Sequence, residues 1–312
     1  MADQRSWAAS LAVPIACFTA GYLSHHFMTR PLPQTKFHID ATLACLKKEM
    51  SPLTKTSSWI NLGFWTRDDG SAVTSYPEAC ELLALKLGRA VQLEAHDIVL
   101  DAGIGRGDQC VLWATHFKVA KVIGLDVTPT HLEGARSLVK ALDLSSTIDV
   151  HDCSATALAA LPNLALTKVI SCDAAYHFET RFAFLSEAFS VLLPNGMLGM
   201  VDCAVSPELL TWKGFEQARL RAMCSMASIP FANLWTTDMF TEKLTKIGFH
   251  DVQVTPLDSI MTGFGAFAEA QGRLLEDWGL ADGFEKIRMT GQMLLHLHEL
   301  QYLTFVLVTA RK

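Results

Sequence analysis

From Tyr76 onward, short runs of aliphatic and β-branched residues alternate with segments of helical period, and a chain that alternates in this way has few folds open to it. The runs that read as strands are Asp97–Asp101, Lys121–Asp126, Thr147–His151, Lys168–Cys172, Met197–Cys203, Asp251–Thr255 and Leu303–Thr309. Helices are predicted at Pro77–Val91, Asp108–Phe117, Thr130–Leu142, Thr180–Leu193 and Asp238–Ile247. The first carries its proline at the opening position, where a missing N–H costs nothing. The expectation is an α/β architecture: a doubly wound, seven-stranded, mostly parallel sheet whose ligand crevice lies beyond the carboxyl ends of the strands. Residues 205–235, rich in Met and Ala, and residues 257–300 are additional helical insertions after the fifth and sixth strands, on the side where a second substrate would enter.

With 312 residues, 50% of them hydrophobic, the chain can bury a sizeable core, and one large domain with appendages is expected. Only 19% of residues are charged and the formal net charge is −6, the wrong sign for neutralising phosphates, so nucleic acid is a poor candidate partner. The eight cysteines include no C-x-x-C pair and lie mostly in apolar runs, which reads as reduced core thiols in a cytosolic domain.

The N-terminus differs. No formally charged residue lies between Arg5 and Arg30, and Trp7 to Leu23 is almost continuously apolar or small. As a helix this run is ~25 Å long, short of the ~30 Å hydrocarbon core unless Ser24 to Met28 extend it. Residues 1–30 are thus either a single membrane anchor, an amphipathic leader or a core helix. A cleaved signal peptide fits less well, since Asp3 would sit in its n-region and no small-x-small exit precedes His25-His26. Arg30, Lys36, Lys47 and Lys48 outnumber Arg5, which would leave an anchored domain on the cytoplasmic face. Residues 31–58 read as a linker with a short outer helix, Ile39 to Met50, and residues 59–312 as the main domain.

The segment that carries chemistry is Val99-Leu100-Asp101-Ala102-Gly103-Ile104-Gly105-Arg106-Gly107-Asp108. A buried strand ends in an acid, and a glycine loop then brings backbone close to a ligand and feeds a helix N-terminus. The spacing is G-x-G-x-G, and Asp108 stands where a dinucleotide fingerprint has its third glycine. Acids at both ends of the loop oppose a pyrophosphate and suit a cationic, phosphate-free ligand such as an aminoacyl sulfonium nucleoside. Asp126 ends the second strand about 20 residues further on, where a carboxylate accepts both hydroxyls of a ribose in either class of nucleoside site. Asp152-Cys153 follows the third strand, where a carboxylate can accept from an exocyclic adenine amine.

Taken together, these residues resemble a class I S-adenosylmethionine (SAM)-dependent methyltransferase of the small-molecule and lipid branch, from about Trp59 to the last strand. Asp101 to Gly107 resembles the family's glycine-rich first motif, Asp126 its ribose-binding acid and Asp152 its adenine-side acid. The segment Asp173-Ala174-Ala175-Tyr176-His177-Phe178 resembles the fourth motif, and Leu193-Pro194-Asn195-Gly196 the turn before the fifth strand. Asn195 replaces the family's usual Gly, and Asn tolerates the same positive φ. Asn61-Leu62-Gly63-Phe64-Trp65 and Tyr76 are similar to an upstream segment of relatives that methylate small amines, sterol-like lipids and tocopherol-like quinols. The resemblance implies a Rossmann-like methyltransferase fold and SAM as cofactor. It implies a cofactor site of Asp101, Gly103, Gly105, Gly107, Asp126, Val127, Asp152, Cys153, Asp173, Tyr76 and Trp65, with Tyr176 and His177 facing a small-molecule acceptor methylated at N, O or C, lipophilic if residues 1–30 are an anchor.

Several readings stay open. His177 is either a general base for an acceptor hydroxyl or carbon, or a packing residue beside the cofactor. Trp59, Phe64, Trp65 and Tyr76 form either an aromatic lid over a sulfonium or plain core. Glu179 and Arg181 read as the start of the next helix. His296 and His298 point to different helix faces, so no metal is expected, and Met223 to Met226 pack either on the sheet or in an acceptor pocket. A non-catalytic SAM-binding scaffold and an NAD-linked oxidoreductase are the competing functions.

Overall fold

The computed structural model describes residues 58–158, 161, 165–277 and 284–312. The apolar segment at residues 1–30, open between an anchor, a leader and a core helix, and the linker helix expected at 39–50 lie outside them. Among the described residues no helix is long and apolar enough to cross a membrane.

The chain enters through helix α1 (Tyr76–Ala90) and then alternates: β1 (Ile98–Ala102), α2 (Asp108–Leu112), β2 (Lys121–Asp126), α3 (Pro129–Ala141), β3 (Ile148–Asp152), β4 (Leu166–Cys172), α4 (Arg181–Val191) and β5 (Leu192–Val205). The second half adds α5 (Pro207–Thr211), α6 (Gly214–Met226), α7 (Thr237–Ile247), β6 (His250–Pro256), α8 (Ser259–Asp277), α9 (Glu285–Glu299) and β7 (Leu303–Arg311). The sheet has seven strands in the order β3-β2-β1-β4-β5-β7-β6. β1 to β5 are parallel, whereas β7 lies between β5 and β6 and runs antiparallel to both, so the sheet is mixed.

Successive strand residues point to opposite faces, and this sheet is buried on both. Val99 and Leu100 are both fully buried, yet Val99 joins the core beneath α1, Trp113 and α8, while Leu100 joins the core beneath α4 and α7. Helices on both faces of a sheet leave only the strand ends for binding. The strand order reverses between β1 and β4, which is where the ligand crevice of such a sheet falls.

Most predicted elements stand within a few residues of their expected limits. Two differ. The helix expected over Asp108–Phe117 ends as a regular helix at Leu112 and continues as a wider π turn through Trp113–Phe117, closed by Lys118 at φ +57°. The fifth strand begins at Leu192, not Met197, because Leu192 pairs with Leu166 and Asn195, at φ +65°, donates its N–H to the carbonyl of Lys312 at 2.8 Å. The expected turn is thus taken up inside the strand. The insertions at 205–235 and 257–300 are helical: α5 and α6 after β5, and α8 and α9 between β6 and β7.

Candidate active site

β1 gives way to a loop in which Gly103, Gly105 and Gly107 take φ of +81°, +54° and +89°. Side chains with a Cβ are strained there. Space forbids one at Gly103, where a Cβ would lie 2.5 Å from Ala174 Cβ, and leaves little room at Gly107, where it would lie 3.0 Å from Ala135 Cβ. The N–H groups of Gly103 and Ile104 donate to the Leu125 carbonyl at 2.8 and 3.0 Å, tying the loop to β2.

Asp101 is fully buried beneath this loop. Its Oδ1 accepts from Gln109 Nε2 at 2.8 Å, and its Oδ2 accepts from Trp113 Nε1 at 2.7 Å and faces Cys110 Sγ at 3.7 Å. Burial pushes its pKa up to about 7 against the pull of these donors. The carboxylate therefore joins β1 to α2. Trp113 and Gln109 were not singled out from sequence, because nothing in their spacing marks them as partners of Asp101.

Asp126 ends β2 as the sequence implies. Its Oδ2 accepts from Gly105 N at 2.9 Å, and its Oδ1 accepts from Val127 N and Thr128 N, each at 2.8 Å. Burial would raise its pKa, but His131, whose Nδ1 lies 3.3 Å from Oδ2, and the backbone donors of Thr128 and Gly105 hold it below the usual value. The site thus keeps an ionised acid beside the glycine loop. Val127, next in sequence, is 50% exposed and offers an apolar surface. Asp152 is the register partner of Asp126 on β3, and Cys153 N donates to the Asp126 carbonyl at 3.2 Å, so both acids and Cys153 share one rim. Cys153 is half-buried, and burial with the neighbouring Asp152 raises its thiol pKa.

Across the crevice, Asp173 follows β4 at φ +59°. Its Oδ2 accepts from Leu62 N at 2.7 Å and its Oδ1 from the Tyr176 hydroxyl at 2.9 Å, while burial pushes its pKa up to about 7. Burial and the adjacent Asp173 raise the Tyr176 pKa further, so its phenol stays neutral and serves as a donor. His177, on the same short turn, is exposed; its ring lies 4.3 Å from that of Tyr176, and its Nδ1 lies 3.0 Å from the Ser228 carbonyl oxygen.

The upstream segment closes over this rim by backbone contacts. Ser58 N donates to Asp108 Oδ1 at 2.9 Å, and Ile60 packs on Gly105. Of the aromatics considered as a lid, Trp65 and Tyr76 are buried and stack on Phe267 of α8 at 5.1 and 5.5 Å. Their polar atoms donate to Leu62 and Asn61 carbonyls at 2.8 Å each. Trp59 and Phe64 are half-buried, and the Lys86 ammonium covers the Phe64 ring at 4.6 Å.

These features suit an adenosyl group. A cradle that excludes a Cβ, an ionised acid hydrogen-bonded to that cradle and an apolar neighbour with half its surface exposed are what a nucleoside with no phosphate needs. A sheet in this order, with this loop at the reversal of strand order, defines a class I SAM-dependent methyltransferase, and the chain belongs to that family. A methyltransferase domain model matches residues 99–196. Over 243 residues the chain is 30% identical to the erythromycin 3''-O-methyltransferase of Saccharopolyspora erythraea, covering 76% of each protein. Among solved structures, the cyclopropane synthase MmaA2 from Mycobacterium tuberculosis superposes with a TM-score of 0.66 at 19% identity, over 82% of this chain and 90% of that one. The mycolic acid cyclopropane synthase CmaA1, complexed with SAH and CTAB, gives a TM-score of 0.66 at 18% identity, over 83% and 91%. The protein is a SAM-dependent methyltransferase.

Proposed function

We propose that the acceptor is a hydroxyl group on a lipophilic small molecule. In this reading Gly103, Gly105, Gly107, Asp126, Val127, Asp152 and Cys153 hold the cofactor, and Tyr176 and His177 face the acceptor. Asp101, Asp173, Trp65 and Tyr76 brace the walls. One juxtaposition carries the reading: the turn bearing Tyr176 and His177 packs on the glycine loop, with Ala174 and Phe178 against Gly103.

When bound, SAM supplies an electrophilic methyl group whose transfer leaves the C–S electron pair on sulfur. The chain's task is then orientation and exclusion of water. Asp126, kept ionised, would accept from the ribose hydroxyls, and the backbone of Gly103 to Gly107 would admit the amino-acid moiety. Asp152, Cys153 and Val127 would hold the adenine, with the Asp152 carboxylate as acceptor for its amine. His177 takes the proton of the acceptor hydroxyl, which an alcohol needs and a neutral amine does not.

Two observations favour a greasy hydroxyl compound. The relative from Saccharopolyspora is named for O-methylation, and α6, beside His177, contributes the half-buried Met223 and Met226, side chains that adapt to irregular apolar ligands. The apolar stretch from Trp7 to Leu23 would deliver such an acceptor from a membrane interface on the cytoplasmic side. Methyl-labelled SAM offered with a macrolide glycoside bearing a free sugar hydroxyl, alkylated phenols and fatty amines tests this. Label is expected in hydroxyl compounds, with turnover lowered ~100-fold in His177→Ala. Transfer to amines alone, or full activity of His177→Ala between about pH 6 and 9, would overturn it.

A further inference from the structure

The insertion after β5 reaches back to the turn that bears His177. Asn233, 2% exposed, lies in the short turn between α6 and α7, and its Nδ2 donates to the carbonyls of Tyr176 and Phe178 at 3.0 and 2.7 Å. These two carbonyls bracket His177. Asn233 Oδ1 accepts from Arg181 N at 2.8 Å, and Arg181 Nη1 donates to the Asn233 carbonyl at 2.8 Å. Arg181 is itself fully buried, paired with Asp202 Oδ1 of β5 at 2.7 Å and sandwiched by Trp235 and Phe240 at 5.0 and 4.8 Å. A fully desolvated ion pair is a costly way to hold a helix end, and in some proteins such a pair fixes a unique local geometry. The geometry specified here is the backbone on either side of His177.

The ring is oriented from the same insertion. Ser228, just past α6 and at φ +54°, turns its carbonyl oxygen toward His177 Nδ1 at 3.0 Å. A carbonyl only accepts, so in the neutral imidazole the proton sits on Nδ1 and the basic lone pair on Nε2.

We propose that residues 228–233 are a positioning device for His177: the Ser228 carbonyl selects the Nδ1–H tautomer, and Asn233, backed by Arg181 and Asp202, fixes the turn on which the ring stands. The device makes Nε2 the atom that receives the acceptor's hydroxyl proton. Asn233 and Arg181 are positioning residues that act through His177. The inference rests on the acceptor-side role given to His177 above, and the test separates the two.

Long-range ¹H–¹⁵N spectra of the SAH-bound, ¹⁵N-histidine-labelled protein, at a pH where the ring is neutral, read the tautomer directly, with His177→Ala assigning the signal. The expected result is Nδ1–H at His177, shifting toward the Nε2–H form in Asn233→Asp, which keeps the acceptor for Arg181 N but cannot donate to either carbonyl. SAH affinity should stay within about twofold while turnover on the hydroxyl acceptor falls ~10-fold, a split that general loss of structure does not produce. Asn233→Ser provides a second, smaller perturbation with the same expected direction. Finding the Nε2–H form in the parent protein, which needs no variant, overturns the inference, as does an unchanged His177 signal in both variants. If His177→Ala retains full transfer while the tautomer is as expected, the base role fails and the device with it loses its purpose.

Discussion

The two halves of the crevice are built differently. Around the ends of β1, β2 and β3 the decisive contacts are local or nearly so: Asp126 reaches Gly105, 21 residues away, and Asp101 reaches Trp113, 12 residues away. Around the ends of β4 and β5 they span the chain: Asp173 accepts from Leu62, 111 residues away, and Asn233 grips Phe178, 55 residues away. The first half is short loops and backbone N–H groups, the second a buried ion pair and long insertions. The glycine loop is short and local, whereas the segments inserted after β5 and β6 are long and leave the sheet intact.

Four changes would break or sharpen that contrast. The largest effect is expected from Arg181→Met, which strands the buried Asp202 carboxylate and should cost ~3–5 kcal/mol of stability in a denaturant titration. If the halves are separate, the folded fraction still binds SAH normally. Gly103→Ala should act the other way round, weakening SAH binding ~100-fold by calorimetry, because its Cβ meets Ala174 and the left-handed backbone is strained. Asp126→Ala should weaken SAH ~30-fold through loss of a charged acceptor and release of the Gly105 N–H, without moving acceptor KM.

The smallest effect is the pH response of Asp101→Asn. The folded pKa of Asp101 is raised to about 7. Folded protein therefore keeps a proton that the unfolded chain releases near pH ~4, and the stabilisation linked to this proton is lost as pH rises from about 4 through 7. Asparagine does not titrate. The melting temperature of Asp101→Asn relative to the parent should therefore increase between about pH 5 and 8; a constant difference would show that Asp101 titrates normally.

The same contrast explains what was legible in the sequence. The alternation of elements, the glycine spacing and the acids ending β2 and β3 are local features with fixed geometric consequences, and they stand where expected. His131 was within reach of the same reasoning, since it sits on the first turn of α3 after Asp126, yet its residue type carries no flag. Arg181 read as a helix start, which it is, but nothing local shows that it is buried on Asp202 or that Asn233 reaches back to its turn. Such contacts are decided by how α6 and α7 pack on β5. The aromatic segment before α1 is a similar case: in the sequence Trp65 and Tyr76 stay open between a lid and plain core, and the stacking partner that decides for core, Phe267, arrives only with α8.

The central claim is that the reversal point between β1 and β4 holds the adenosyl group with its sulfur toward His177. A crystal structure of the SAH complex tests this most directly. The expected complex has ribose hydroxyls on the Asp126 carboxylate, the homocysteine moiety along Gly103 to Gly107 and the thioether facing the Tyr176–His177 turn. SAH seated elsewhere, or with its sulfur turned away from that turn, would contradict it.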